Sequence, residues 1–144
     1  MIKDKRNSNR IGAVIVGYNP EINRLKSIVE QLQSADIIVG VYRNSNFEVN
    51  GDYVLGSGEN VGIARAQNLV IQELNKNGDI ECIITLDQDT SVSIQGIFEL
   101  YNELQRLNIA DNNIVGIVPS LLNEREGYIY NEEVTIRRLS NNIG

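Results

Sequence analysis

The run IGAVIVG, Ile11 to Gly17, is an almost unbroken apolar stretch rich in β-branched residues. That is the pattern of a strand buried on both faces, and such a strand needs cover on each side. The next residues can supply it. In YNPEINRLKSIVEQLQ, Asn19 can cap a helix, Pro20 suits its first position, and Ile22, Leu25, Ile28, Val29 and Leu32 fall on one helical face. The alternation then repeats. Ile37 to Tyr42 and the shorter Tyr53 to Leu55 read as strands separated by a turn-rich stretch. Asn60 can cap a helix running to about Leu74, which Asn77 and Gly78 end. Ile80 to Leu86 reads as another buried strand, Ile94 to Leu107 as an amphipathic helix, and Ile114 to Val118 as a further strand closed by Pro119. Strand, helix, strand in this order predicts an α/β fold, a mostly parallel sheet flanked by helices, with ligands taken at the carboxyl ends of the strands. Beyond about Leu122 only a hairpin around Tyr128 to Tyr130 is expected.

Composition narrows the chemistry. A chain of 144 residues suits a single α/β domain over residues 10–144 behind a flexible polar tail over residues 1–9. No apolar run approaches the roughly 20 residues of a membrane span, and MIKDKRNSNR does not open a secretory signal. The single cysteine, Cys82, cannot pair within the chain, so the expected location is the cytoplasm, with a peripheral position at the inner membrane face as the alternative. Net charge is −6, and the positive residues are scattered apart from Arg137 and Arg138, which argues against nucleic acid as a partner. There is no histidine. Ser-His-Asp and Cys-His catalysis are therefore excluded, and chemistry falls to carboxylates, backbone amides and a hard cation.

The last buried run before the third helix ends in ITLDQDTS, placing Asp87 and Asp89 one residue apart at a strand end. In an extended segment, residues i and i+2 face the same side. Two carboxylates about 6 Å apart at an effective dielectric near 20 repel by roughly 3 kcal/mol, a cost that a bound divalent cation turns into attraction. Magnesium or manganese fits, since each accepts one or two carboxylates beside water and substrate phosphate. The alternative is a pair of loop carboxylates capping the helix near Ser93.

The stretches AVIVGYNP (Ala13 to Pro20), GENVGIARAQN (Gly58 to Asn68) and ITLDQDTS together resemble the nucleotide-sugar-binding part of family 2 glycosyltransferases of the GT-A fold. The D-Q-D variant beside N-x-G-I-A-x-A-Q-N is most similar to the bacterial rhamnosyltransferase branch. The resemblance covers roughly residues 10 to 120. It implies a Rossmann-like GT-A fold in which Tyr18 and Asn19 line the base and ribose pocket. Asp87 is placed at the ribose side and, with Asp89, at the metal bridging the donor diphosphate. Asn60, Gly62 and Ala64 would form the turn and helix start beside the nucleotide, with Arg65 as a phosphate neighbour. The implied cofactor is magnesium or manganese. The implied partners are a nucleotide-sugar donor, deoxythymidine-diphosphate-linked rhamnose in this branch, and a saccharide or lipid-linked acceptor of surface-polysaccharide synthesis. The plain structural alternatives for Asn60 and Gly62 are a cap and a flexible first turn, and for Tyr18 a partly buried aromatic at a strand end.

Two departures stand out. Family members carry an aspartate after the second strand, whereas VYRNS (Val41 to Ser45) has none. The family's catalytic base lies well beyond the D-x-D segment, and Asn131, Glu132 and Glu133 do not sit in a matching motif, so the base is unassigned. The expectation is a donor-binding portion of a longer or split transferase, or a short homologue that binds donor without transfer. LDQDTSV also approximates the D-x-D-x-T/V signature of haloacid-dehalogenase-like phosphatases, in which Asp87 would be the nucleophile. That signature normally ends the first strand of its fold, and here several elements precede it. A noncatalytic binding module on the same scaffold is the third reading.

Overall fold

The computed structural model describes residues 10–91, 93–110, 121–123 and 128–130. They fall into two compact units, residues 1–94 and 95–144. In the first, β1 (Ile11–Gly17), β2 (Ile38–Arg43), β3 (Tyr53–Leu55) and β4 (Cys82–Asp87) form one all-parallel sheet in the order β3-β2-β1-β4. The crossovers contain α1 (Ile22–Ser34) and α2 (Ile63–Asn75). This is the expected α/β, Rossmann-like arrangement, consistent with the nucleotide-binding part of a GT-A domain. Strand order reverses between β1 and β4, and it is beyond the carboxyl ends of the strands at such a reversal that α/β sheets of this type take ligands.

Alternation along β1 divides the core between the two faces. Val14 clusters with Tyr42 of β2 and with Ala66, Val70 and Leu74 of α2. Ile11, Ala13 and Ile15, with Val39 and Val41, are buried on the opposite face, as are Leu25, Ile28, Val29 and Leu32 of α1. Fully burying side chains of this size contributes about 1.5–3 kcal/mol each. Gly40 is small for a reason visible here: a Cβ on it would stand 2.4 Å from Val70 Cγ1, so α2 seats directly on the β2 backbone.

Gly56, just past β3, has φ +92°, and a Cβ there would lie 2.6 Å from the Arg43 carbonyl oxygen. Gly56→Ala is expected to cost about 2 kcal/mol or more, from left-handed strain plus a clash with backbone that cannot step aside. A shift of the denaturation midpoint checks this, and an unshifted midpoint refutes it.

Several local expectations change. α1 is capped by Glu21, whose carboxylate accepts the Asn23 and Arg24 N–H groups, and not by Asn19. Asn19 is held in a left-handed conformation, φ 43°, so Pro20 lies before the cap. α2 has Gly62 as its N-cap residue and no side-chain cap, so Asn60 does not cap it directly. β4 begins at Cys82 and runs through Asp87, and it is half-buried or exposed along its length where a fully buried strand was expected. Among the described residues it pairs with β1 alone, which leaves one edge without a covering strand.

The second unit contains most of α3 (Ile94–Ala110), which buries Ile97 and Tyr101, and a hairpin of β5 (Leu121–Asn123) and β6 (Tyr128–Tyr130), as expected near Tyr128. The expected tail over residues 1–9, the strand Ile114 to Val118, Arg137, Arg138 and the trio Asn131, Glu132 and Glu133 lie outside the described residues. Among the described residues no helix is long and apolar enough to cross a membrane.

Candidate functional site

Strand register brings the candidate residues to one edge of the sheet. Val16 pairs with Asp87 and Gly17 with Arg43, so β1, β2 and β4 end nearly level. Asp87 is the last residue of β4, and its carbonyl accepts the Thr90 N–H at 3.2 Å. The chain therefore turns at once after Asp87. Asp87 opens a tight turn that Thr90 closes and Asp89 is one of its two central residues, so the pair does not lie along an extended segment, which removes strand alternation as the reason for any shared orientation. Both are exposed, while Gln88 between them is half-buried. Neither carboxylate has an ion-pair partner among the described residues.

Gln88 faces β1. Its Oε1 accepts the Tyr18 N–H at 2.7 Å and its Nε2 donates to the Tyr18 carbonyl at 3.1 Å. Tyr18, 52% exposed just beyond β1, thus has its backbone joined to the acidic turn. Asn19 follows, also exposed, its N–H donating to Ser45 Oγ at 2.8 Å. Tyr18, Asp87 and Asp89 are thus brought together through Gln88, and Asn19 is tied to the end of β2.

The residues after β2 organise the other side. Asn44 is 3% exposed, and its N–H donates to the Gly17 carbonyl at 2.9 Å. Its Oδ1 accepts the Val61 N–H at 3.1 Å and its Nδ2 donates to the Gly62 carbonyl at 3.3 Å. Asn60 Oδ1 accepts the Gly62 N–H at 2.9 Å. These bonds fix the entry to α2. The Gly62 carbonyl accepts the first helical bond, from Ala66, so the N–H groups of Ile63, Ala64 and Arg65 have no partner within the helix. Gly62 has φ +85° and open space where a Cβ would stand, and residues 62–65 are exposed. An open helix start of this kind favours an anion. No hydrogen bond or ion pair joins Arg65 to the acidic turn among the described residues.

In VYRNS, Asn44 and Ser45 are therefore committed to holding loops. Arg43, the last residue of β2, carries donors only. Its Nη2 donates to Asn46 Oδ1 at 3.2 Å and its guanidinium carbon lies 5.9 Å from the Phe47 ring centroid, while Nε is buried with no hydrogen-bond partner. Phe47 packs on the bare backbone of Gly17, where a Cβ would meet its ring at 2.5 Å. Cys82 is at the opposite end of β4, where burial, helped by the Glu81 charge, pushes its thiol up from the ordinary range. It is a poor nucleophile at neutral pH and remote from the turn.

Asp87 and Asp89 are hard oxygen donors, and among the described residues no group of three or more histidine, cysteine or acidic side chains could enclose a metal. Two such donors without a third suit, by their chemistry, only a cation that takes few ligands from protein and completes its shell with water and phosphate oxygens. Sequence reasoning located the acidic pair but passed over Gln88, Asn44 and Ser45. The available signals were an amide between two acids and a polar N-S pair at the end of a buried strand.

No family model matches the chain, and no solved structure matches it. Over 102 residues it is 36% identical to the dTDP-rhamnosyl transferase RfbF of Shigella flexneri, an alignment covering 65% of this chain and 34% of that protein. The similarity is thus to a glycosyltransferase, and the matched part spans about a third of that relative's length.

Proposed function

We propose that the chain is the donor-binding portion of a glycosyltransferase, taking a nucleoside diphosphate sugar in the crevice between β1 and β4. The observation that carries this reading is the joining of the exposed Tyr18 to the Asp87-Gln88-Asp89 turn at the strand-order reversal. Tyr18 would stack on the base, and Asn19 would border the ribose. The open start of α2, with Asn60 and Gly62 shaping its approach and Arg65 beside it, would face the diphosphate. Asp87 and Asp89 would hold magnesium or manganese, Asp87 also meeting the ribose side. When bound, that cation would neutralise charge on the departing nucleoside diphosphate.

The likeness to the Shigella dTDP-rhamnosyl transferase supports rhamnose from deoxythymidine-diphosphate-rhamnose as the sugar, and the acceptor would be a polysaccharide or a lipid-linked saccharide. A carboxylate base would have to deprotonate the acceptor hydroxyl. No residue of this chain is assigned that role, which keeps a noncatalytic donor-binding module as the second reading. The phosphatase reading is weaker because the acidic turn follows the fourth strand in chain order.

Calorimetry of the chain with thymidine and uridine diphosphates, each with and without manganese, tests the reading. Manganese-dependent binding is expected, tighter for the thymidine nucleotide if the rhamnosyl assignment is right. Absence of binding to either nucleotide rejects the donor site.

A further inference from the structure

The residue between the two aspartates has both the oxygen and the nitrogen of its side-chain amide in hydrogen bonds. Gln88 answers both backbone groups of Tyr18, across 70 positions of sequence, at the point where the backbone ladder of β1 and β4 reaches its last pair, Val16 with Asp87. A primary amide carries a donor and an acceptor side by side, which is what one residue's N–H and C=O together require. Carboxylates accept only, and aliphatic side chains do neither. Water competes for both bonds, which are exposed, so their contribution to stability is small and their effect is geometric. Without them the loop at Tyr18 and the acidic turn would each have to be ordered when a ligand arrives.

Resting on the donor-site reading above, we infer that Gln88 is a positioning residue: it ties the Tyr18 loop to the acidic turn, so that aromatic ring and carboxylates are presented to one ligand in a fixed relation. Gln88→Met keeps the bulk of the side chain and removes both hydrogen bonds.

The test uses the whole chain. Amide exchange followed by NMR reads the Tyr18 N–H, and the electron paramagnetic resonance signal of free manganese reads metal uptake in the presence of thymidine diphosphate. In the parent chain the Tyr18 amide is expected to be protected. In Gln88→Met that protection is lost and manganese uptake with the nucleotide weakens about tenfold, the lower end of what supporting residues contribute to metal sites. The denaturation midpoint of Gln88→Met is expected to match that of the parent chain, since both bonds are exposed, whereas a purely structural role would lower the midpoint together with the uptake. An unprotected Tyr18 amide in the parent chain, or manganese uptake indifferent to Gln88→Met, overturns the inference and leaves the donor site standing. Failure of the parent chain to take up manganese with the nucleotide removes the donor site and the role of Gln88 together, whatever the Tyr18 amide does.

Discussion

Asp89→Ala is expected to abolish most of the manganese-dependent gain in thymidine diphosphate binding, weakening it on the order of 100-fold, which at about 1.4 kcal/mol per decade is about 3 kcal/mol. The size follows from the donor set. Only two carboxylates stand at the turn, and among the described residues no third acidic group is gathered with them to share the load. Removing one halves the negative charge that offsets the cation's dehydration. Asp89 is exposed and outside the strand, so the fold should be unaffected, with stability changed by no more than about 0.5 kcal/mol. Calorimetry with and without manganese separates the effects. Equal affinities for the variant and the parent chain in manganese would show that the acidic turn is not the metal seat. Asp87→Ala should have a comparable effect, because its carbonyl, not its side chain, closes the turn with Thr90.

The second large effect concerns stability. Asn44→Ala is expected to destabilise the first unit by about 2 kcal/mol, since it leaves the part-buried Val61 N–H without its acceptor, at about 1–3 kcal/mol for a group left unsatisfied, and removes one of the two hydrogen bonds to the Gly62 carbonyl, which keeps the Ala66 N–H. The denaturant midpoint should fall with little change in slope. Nucleotide affinity should fall as well, because Asn44 fixes the chain entering α2. A loss below about 0.5 kcal/mol would mean that water replaces the amide without penalty, and that the start of α2 is held by other contacts.

Much of the fold is legible in the residues because it depends on local period. IGAVIVG has no polar side to turn to water, so it belongs inside a sheet, and Leu25, Ile28, Val29 and Leu32 can share a buried face only in a helix. The acidic pair was legible for a similar reason: two aspartates directly after an apolar run must lie where that strand leaves the core. The details that failed were choices among equivalent local options. Asn19, Glu21 and Asn60 can all cap a helix start, and only tertiary contacts select among them. The bond from the Asn19 N–H to Ser45 accompanies a backbone conformation that leaves capping to Glu21.

By itself, the amino-acid order determined the alternation of strand and helix, the faces that are buried and the strand end at which two carboxylates emerge, because each follows from spacing within a dozen residues. Only the tertiary structure decided that β4 lies beside β1, that Gln88 clasps Tyr18 and that Asn44 holds the entry to α2. Those bonds join residues 17 to 70 positions apart, and no local pattern selects one distant backbone group over another until the sheet has aligned its strand ends.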